Sequence, residues 1–150
     1  MYDKWMASAL VVLVTAASVT LAVLVHYEGL ARLNRGLVQA HAQRRRKVLL
    51  GVYGVILLHV VEIWLFGLAF WLLLLSPDKG SLSAMAQVPF LDAVYLSAET
   101  FTTVGFGDHS PQGAIRFLAG TEALTGFILI TWSASFLYLE MEQYWRKPGG

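Results

Sequence analysis

The chain has 150 residues, of which 57% are hydrophobic and only 14% charged, and its net charge is +1. An ordinary soluble domain is about 25% charged, so the composition excludes that class and points to one compact unit in a membrane. The near-neutral balance gives no sign of a nucleic-acid partner, and the absence of cysteine excludes disulfides and thiolate metal sites.

From Trp5 to Val25 no residue is charged, and Ser8, Thr15, Ser18 and Thr20 are the only polar ones. That run is long enough to cross a hydrocarbon core at helical rise. It is also longer than the core of a signal peptide, the competing reading. The sequence therefore predicts an N-terminal transmembrane helix over 1–26. Residues 27–47 follow as a basic loop, with Arg32, Arg35, Arg44, Arg45, Arg46 and Lys47 against a single Glu28. A second apolar run, 48–75, is interrupted only by His59 and Glu62 and ends at the turn signal "SPDKGS". A third span is predicted over 114–140, with Glu122 inside it, before a tail over 143–150 that carries Arg146 and Lys147.

Lys and Arg in short loops mark the cytoplasmic side. Both basic flanks put loop 27–47 and the C-terminus in the cytoplasm, the N-terminus outside, and the segment between spans two and three outside as well. The Arg44–Lys47 run fits a topology determinant, with anionic lipid as a second partner. Tyr144 and Trp145 fit an interfacial aromatic belt.

Between spans two and three lies "VPFLDAVYLSAETFTT", too short to cross, with Pro89 suited to a first helical turn. It predicts a re-entrant half-helix over 89–102, followed by a loop at 103–108 in which Gly105 and Gly107 end any helix. Irregular backbone survives at membrane depth only where protein or water satisfies its carbonyls. Alternate glycines accept backbone angles that other residues avoid, so successive carbonyls can point the same way. A partly dehydrated cation would meet them, and a cage around it needs several copies of the chain about one axis.

The stretch "SAETFTTVGFGD" (97–108) resembles the pore helix and selectivity filter of the potassium channel family, in particular its two-helix bacterial members. The likeness covers residues 48–142; the first helix and basic loop have no counterpart in the minimal pore. It implies an all-α membrane protein: an outer helix at 48–75, the re-entrant helix, the filter and an inner helix, assembled as a homotetramer around potassium ions. On this resemblance the ions are held by Thr103, Val104, Gly105, Phe106 and Gly107. Thr102, Glu99 and Asp108 support the filter, with the two carboxyls sharing a proton or water, and Gly126 is the inner-helix hinge. The face Phe127, Ile130, Ala134 and Tyr138 would line the cavity, since steps of three and four keep to one side of a helix. Two departures stand out: Phe106 replaces the commoner Tyr, and Leu96 stands where simple bacterial pores often carry Trp.

Three ionisable residues lie deep in the second and third spans. His59 and Glu62, three apart on one helix face, and Glu122 are candidates for a buried polar sensor of protons, against a plain role as paired structural groups. Passive conduction needs no catalytic residue, so an enzyme is not expected. The alternatives are a weakly selective monovalent cation channel and an accessory or proton-handling membrane subunit.

Overall fold

The computed structural model describes residues 2–39, 44–83 and 87–145. Four α-helices carry them: α1 (Tyr2–Gln39), α2 (Arg44–Leu74), α3 (Phe90–Phe101) and α4 (Arg116–Trp145). Strands β1 (Ser81–Leu82) and β2 (Pro111–Gln112) pair antiparallel, and a 3-10 turn over Gly113–Ile115 leads into α4. Three helical segments, Trp5–Gln39, Arg45–Leu74 and Gly113–Glu142, are long and apolar enough to cross a membrane. The protein is thus an all-α, multi-pass membrane protein, with α3 as a short helix between its second and third spans.

The first helix departs from the boundary that the charge pattern suggests. Residues 27–39, expected in the basic loop, continue α1 without a break. The cause is a buried stripe of Ala7, Val11, Thr15, Ser18, Ala22, His26, Leu30 and Leu37, which keeps helical spacing past the last apolar run. Leu33 of α1 sits over Gly54 of α2, and Leu58 of α2 sits over Gly29 of α1. Small residues let helix backbones approach in lipid, where no hydrophobic drive pulls them together. On the open face, Arg32 pairs with Glu28 one turn before it, at 3.9 Å. Arg44 to Lys47, also expected in that loop, instead begin α2.

Around α3 the packing is tighter. Phe66, Phe70, Leu96, Phe101, Ile115, Leu118 and Leu129 form the buried core between α2, α3 and α4. Gly67 faces Val94 so closely that a Cβ would lie 2.8 Å from the Val94 Cα. Ser97, at the middle of α3, touches both neighbouring spans. Its Oγ lies 2.8 Å from the Ile63 carbonyl oxygen of α2 and 2.5 Å from a Glu122 carboxyl oxygen of α4. A serine hydroxyl has one proton to donate. If the Ile63 carbonyl takes it, the Glu122 carboxyl must supply the proton for the second bond. One side chain then ties the half-helix to both of the spans that flank it.

Two consequences can be measured as thermal unfolding of the purified protein in detergent. Gly67→Ala should destabilise it by about 1–3 kcal/mol, because backbone rather than a flexible side-chain end must move. Gly36→Ala, where nothing lies within 4 Å, should not destabilise it. Glu122→Gln should be tolerated, since an amide N–H donates to Ser97 as a carboxylic acid does, whereas Glu122→Leu should cost about 1–2 kcal/mol.

Candidate functional site

Helix α3 stops at Phe101, and the Thr102 hydroxyl closes its end by donating to the Ala98 carbonyl at 2.7 Å. Thr102 N–H still bonds to the Ala98 carbonyl at 3.1 Å and Thr103 N–H to that of Thr100 at 3.0 Å. Beyond them, φ is +59° at Thr103, +55° at Gly105 and +83° at Gly107, with no positive value at Val104 or Phe106. The backbone therefore alternates in handedness along the loop. Glycine takes such angles without strain. Threonine does so only where its surroundings hold it there, at about 1 kcal/mol or more.

The loop is tied back to its helix at Glu99: the Gly105 N–H bonds to the Glu99 carbonyl at 3.2 Å, and the Phe106 N–H reaches its carboxyl. Residues 102–108 are otherwise exposed on the single chain, including the apolar Val104 and Phe106. The outer end is fixed by side chains. The Tyr95 hydroxyl donates to Asp108 at 3.2 Å, and the Phe106 ring lies parallel to the Tyr95 ring with centroids 6.4 Å apart. His109 stacks edge-on against Tyr95 and lies 3.7 Å from the Asp108 carboxylate.

Behind the loop, Glu99 is buried, and one of its carboxyl oxygens has no hydrogen-bond partner among the described residues. Burial, and then the neighbouring Asp108 carboxylate, raise the Glu99 pKa from its ordinary value, while the Phe106 N–H works against them. The two carboxyls are neighbours, as the resemblance implies, but Asp108 takes its clear bond from Tyr95. Sequence reasoning missed Tyr95, although it lies one helical turn before Glu99 and so shares its face.

Gly126 lies where α4 crosses the end of α3, and any Cβ there would collide with the Phe101 carbonyl. Close helix approach is therefore the structural demand for glycine at this position. Phe127, Ile130, Ala134 and Tyr138 share an exposed face of α4, opposite the buried Leu129 and Ser133.

The candidate sensor residues do not form one group. Glu122 joins Ser97, as described. His59 and Glu62 meet instead with His26 of α1. Glu62 lies 2.8 Å from His26 Nδ1 through one carboxylate oxygen and 2.9 Å from His59 Nδ1 through the other. Ser133 Oγ of α4 stands 3.4 Å from His26 Nε2. His26 was overlooked because it stands just past the apolar run. Its signal was helical spacing from Ala22, which places it on the buried stripe.

A family model described as an ion channel matches residues 48–142. Among curated proteins, LctB of Geobacillus stearothermophilus is 34% identical over 82 residues, covering 55% of this chain and 61% of that protein. LctB of Bacillus caldotenax is 39% identical over 54 residues, covering 36% of this chain and 39% of that protein. The matches thus span less than two thirds of either relative. No solved structure matches the chain. The family match takes in all but the first turn of α2, the short helix α3, its loop and all but the last turn of α4, more than half of the chain: this protein belongs to the ion channel family.

Proposed function

We propose that the chain is a potassium-selective channel, four copies of which surround one pore built from α2, α3, the loop and α4. The observation that carries this reading is the alternating sign of φ at Thr103, Gly105 and Gly107. Alternating handedness gathers successive N–H groups on one side, leaving the carbonyls to the other, as a single file of ion ligands requires. The carbonyls of Thr103, Val104, Gly105 and Phe106, with the Thr103 hydroxyl, replace water around the ion, and Gly107 turns the chain outward. Such filters take four loops around one axis. The exposed Val104 and Phe106 of one chain are then covered by the next.

The remaining assignments follow from that arrangement. Thr102, Glu99 and Asp108 hold the loop from behind, and Phe127, Ile130, Ala134 and Tyr138 face the inner cavity. Gly126 lets α4 pass the base of α3, the point about which the inner helix bends when the pore opens. The N-terminus lies outside and the C-terminus in the cytoplasm. The basic start of α2, from Arg44 to Lys47, carries four cations at a helix end whose dipole already favours anions, so anionic lipid headgroups are its partners. Conduction is passive and no residue is catalytic.

Flux from liposomes containing the purified protein tests the reading. Potassium should pass and sodium should be excluded; equal flux of both, or sodium alone, would overturn it. Gly105→Ala should abolish flux, because a Cβ resists the left-handed angle at that position. Mass measured on functional protein in nanodiscs should give four chains, and a conducting dimer would contradict the assembly. Cysteines at Ile130 and Ala134 should react with thiol reagents from the cytoplasmic side of an open channel.

A further inference from the structure

The polar cluster joining α1 to α2 lies outside the matched pore loop and has no part in the function proposed above. Its geometry has three features that need a common cause. First, His26 and His59 present the same ring nitrogen, Nδ1, to one carboxylate, each to a different oxygen, at 2.8 and 2.9 Å. Their rings are stacked with centroids 5.5 Å apart and inclined by 28°. Second, His26 and Glu62 are fully buried, and only His59 keeps some exposure, 16% of its side chain. Third, the far nitrogen of His26 is met by a hydroxyl, Ser133, from the inner helix.

An ion pair explains only part of this. One imidazolium suffices to neutralise Glu62, and the second imidazole adds burial cost without adding charge balance. Three convergent donors of this kind do suit a metal. The ligand atoms of His26, His59 and Glu62 all lie within 4.8 Å of one another. In a tetrahedral site, metal–ligand distances of about 2.0–2.1 Å put neighbouring ligand atoms about 3.3 Å apart. The observed 2.8 and 2.9 Å, one to each oxygen of the carboxylate, open by a few tenths of an ångström, and the remaining ligand separation, no more than 4.8 Å, closes to the same value. His-x-x-Glu on one helix face repeats in reverse the Glu-x-x-His spacing by which helical bundles hold metal ions. Metal-ligating histidines also engage a polar partner through the second ring nitrogen, which fixes their tautomer. Ser133 stands where that partner is needed.

We propose that His26, His59 and Glu62 bind a divalent transition metal ion of the zinc class, with Ser133 as the outer partner of His26. Two imidazoles and one carboxylate select zinc, cobalt or nickel over magnesium or calcium, whose ligands are oxygens. Three protein ligands leave the fourth tetrahedral position to water. The ion arrives past the exposed edge of His59. Its effect is mechanical: it clamps α1, the helix outside the matched pore module, onto α2, and through Ser133 it touches the inner helix. The site is independent of which monovalent ion the pore conducts, since none of its residues lies in the loop.

The test uses tag-free, full-length protein in detergent, stripped of metal by chelator and titrated with cobalt and then zinc. One cobalt ion per chain should bind with the intense visible absorption of tetrahedral nitrogen–oxygen ligation, and zinc should displace it. His26→Gln, His59→Gln and Glu62→Gln keep side-chain bulk and a hydrogen-bonding end, and each should weaken binding by more than tenfold. Ser133→Ala should weaken it by about tenfold, the lower end of the usual outer-partner effect. Metal should raise the unfolding temperature of the wild type and leave that of the three glutamine variants unmoved. His109→Ala, which leaves the cluster intact, should bind as the wild type does. Absent cobalt absorption in the folded wild type, or absorption that persists in the His26→Gln and His59→Gln proteins, would overturn the proposal.

Discussion

Hydrocarbon offers no hydrogen-bonding partner to a backbone, and that constraint organises this chain. Three segments meet it by being helical from one side of the membrane to the other. The loop at 102–108 is irregular, and on the function proposed above it lies at membrane depth, so the packing around it serves to hold it in place. It hangs from α3, a helix too short to cross, and α3 is in turn fixed from both sides through Ser97. The Gly67–Val94 and Gly126–Phe101 approaches show how little space separates this half-helix from its neighbours. A loop whose backbone alternates in handedness needs such a frame, because nothing within the loop enforces the left-handed angle at Thr103.

The polar groups buried in the spans divide according to what they join. Ser97 and Glu122 tie the half-helix to α2 and α4, inside the part that matches the ion channel family. His26, His59, Glu62 and Ser133 tie α1 to that part. Glu62 and Glu122 thus have different duties despite their similar chemistry. In a bilayer each such contact is worth only about 1 kcal/mol. Their contribution lies chiefly in fixing which helix faces which, because a carboxylate rotated toward lipid would be left without a partner.

Much of this was legible in the sequence. The three apolar runs predict three spans, and the short fourth segment between turn signals predicts a half-helix within one residue of its observed start and end. That the helix ends before 103–108 is legible in Gly105 and Gly107, both of which take positive φ. The end of α1 is not, because charge reads as the sign of a loop. Glu28, Arg32 and Arg35 are charged, yet they occupy the exposed face of a helix whose other face remains apolar. The grouping of the buried residues was also hidden. His59 and Glu62 declare themselves by spacing on one helix, but His26 reaches them across 36 positions of sequence. No local pattern encodes a contact between helices, and Tyr95 escaped notice because aromatic residues abound on apolar helices.

The central claim is that the carbonyls from Thr103 to Phe106 take the place of water around potassium. Anomalous diffraction from crystals grown with rubidium or thallium in place of potassium tests it most directly. The account predicts a row of peaks on a fourfold axis, level with those carbonyls and bounded by the Thr103 hydroxyl. An assembly without that axis, or an axis with no peaks between Thr103 and Phe106, would contradict it.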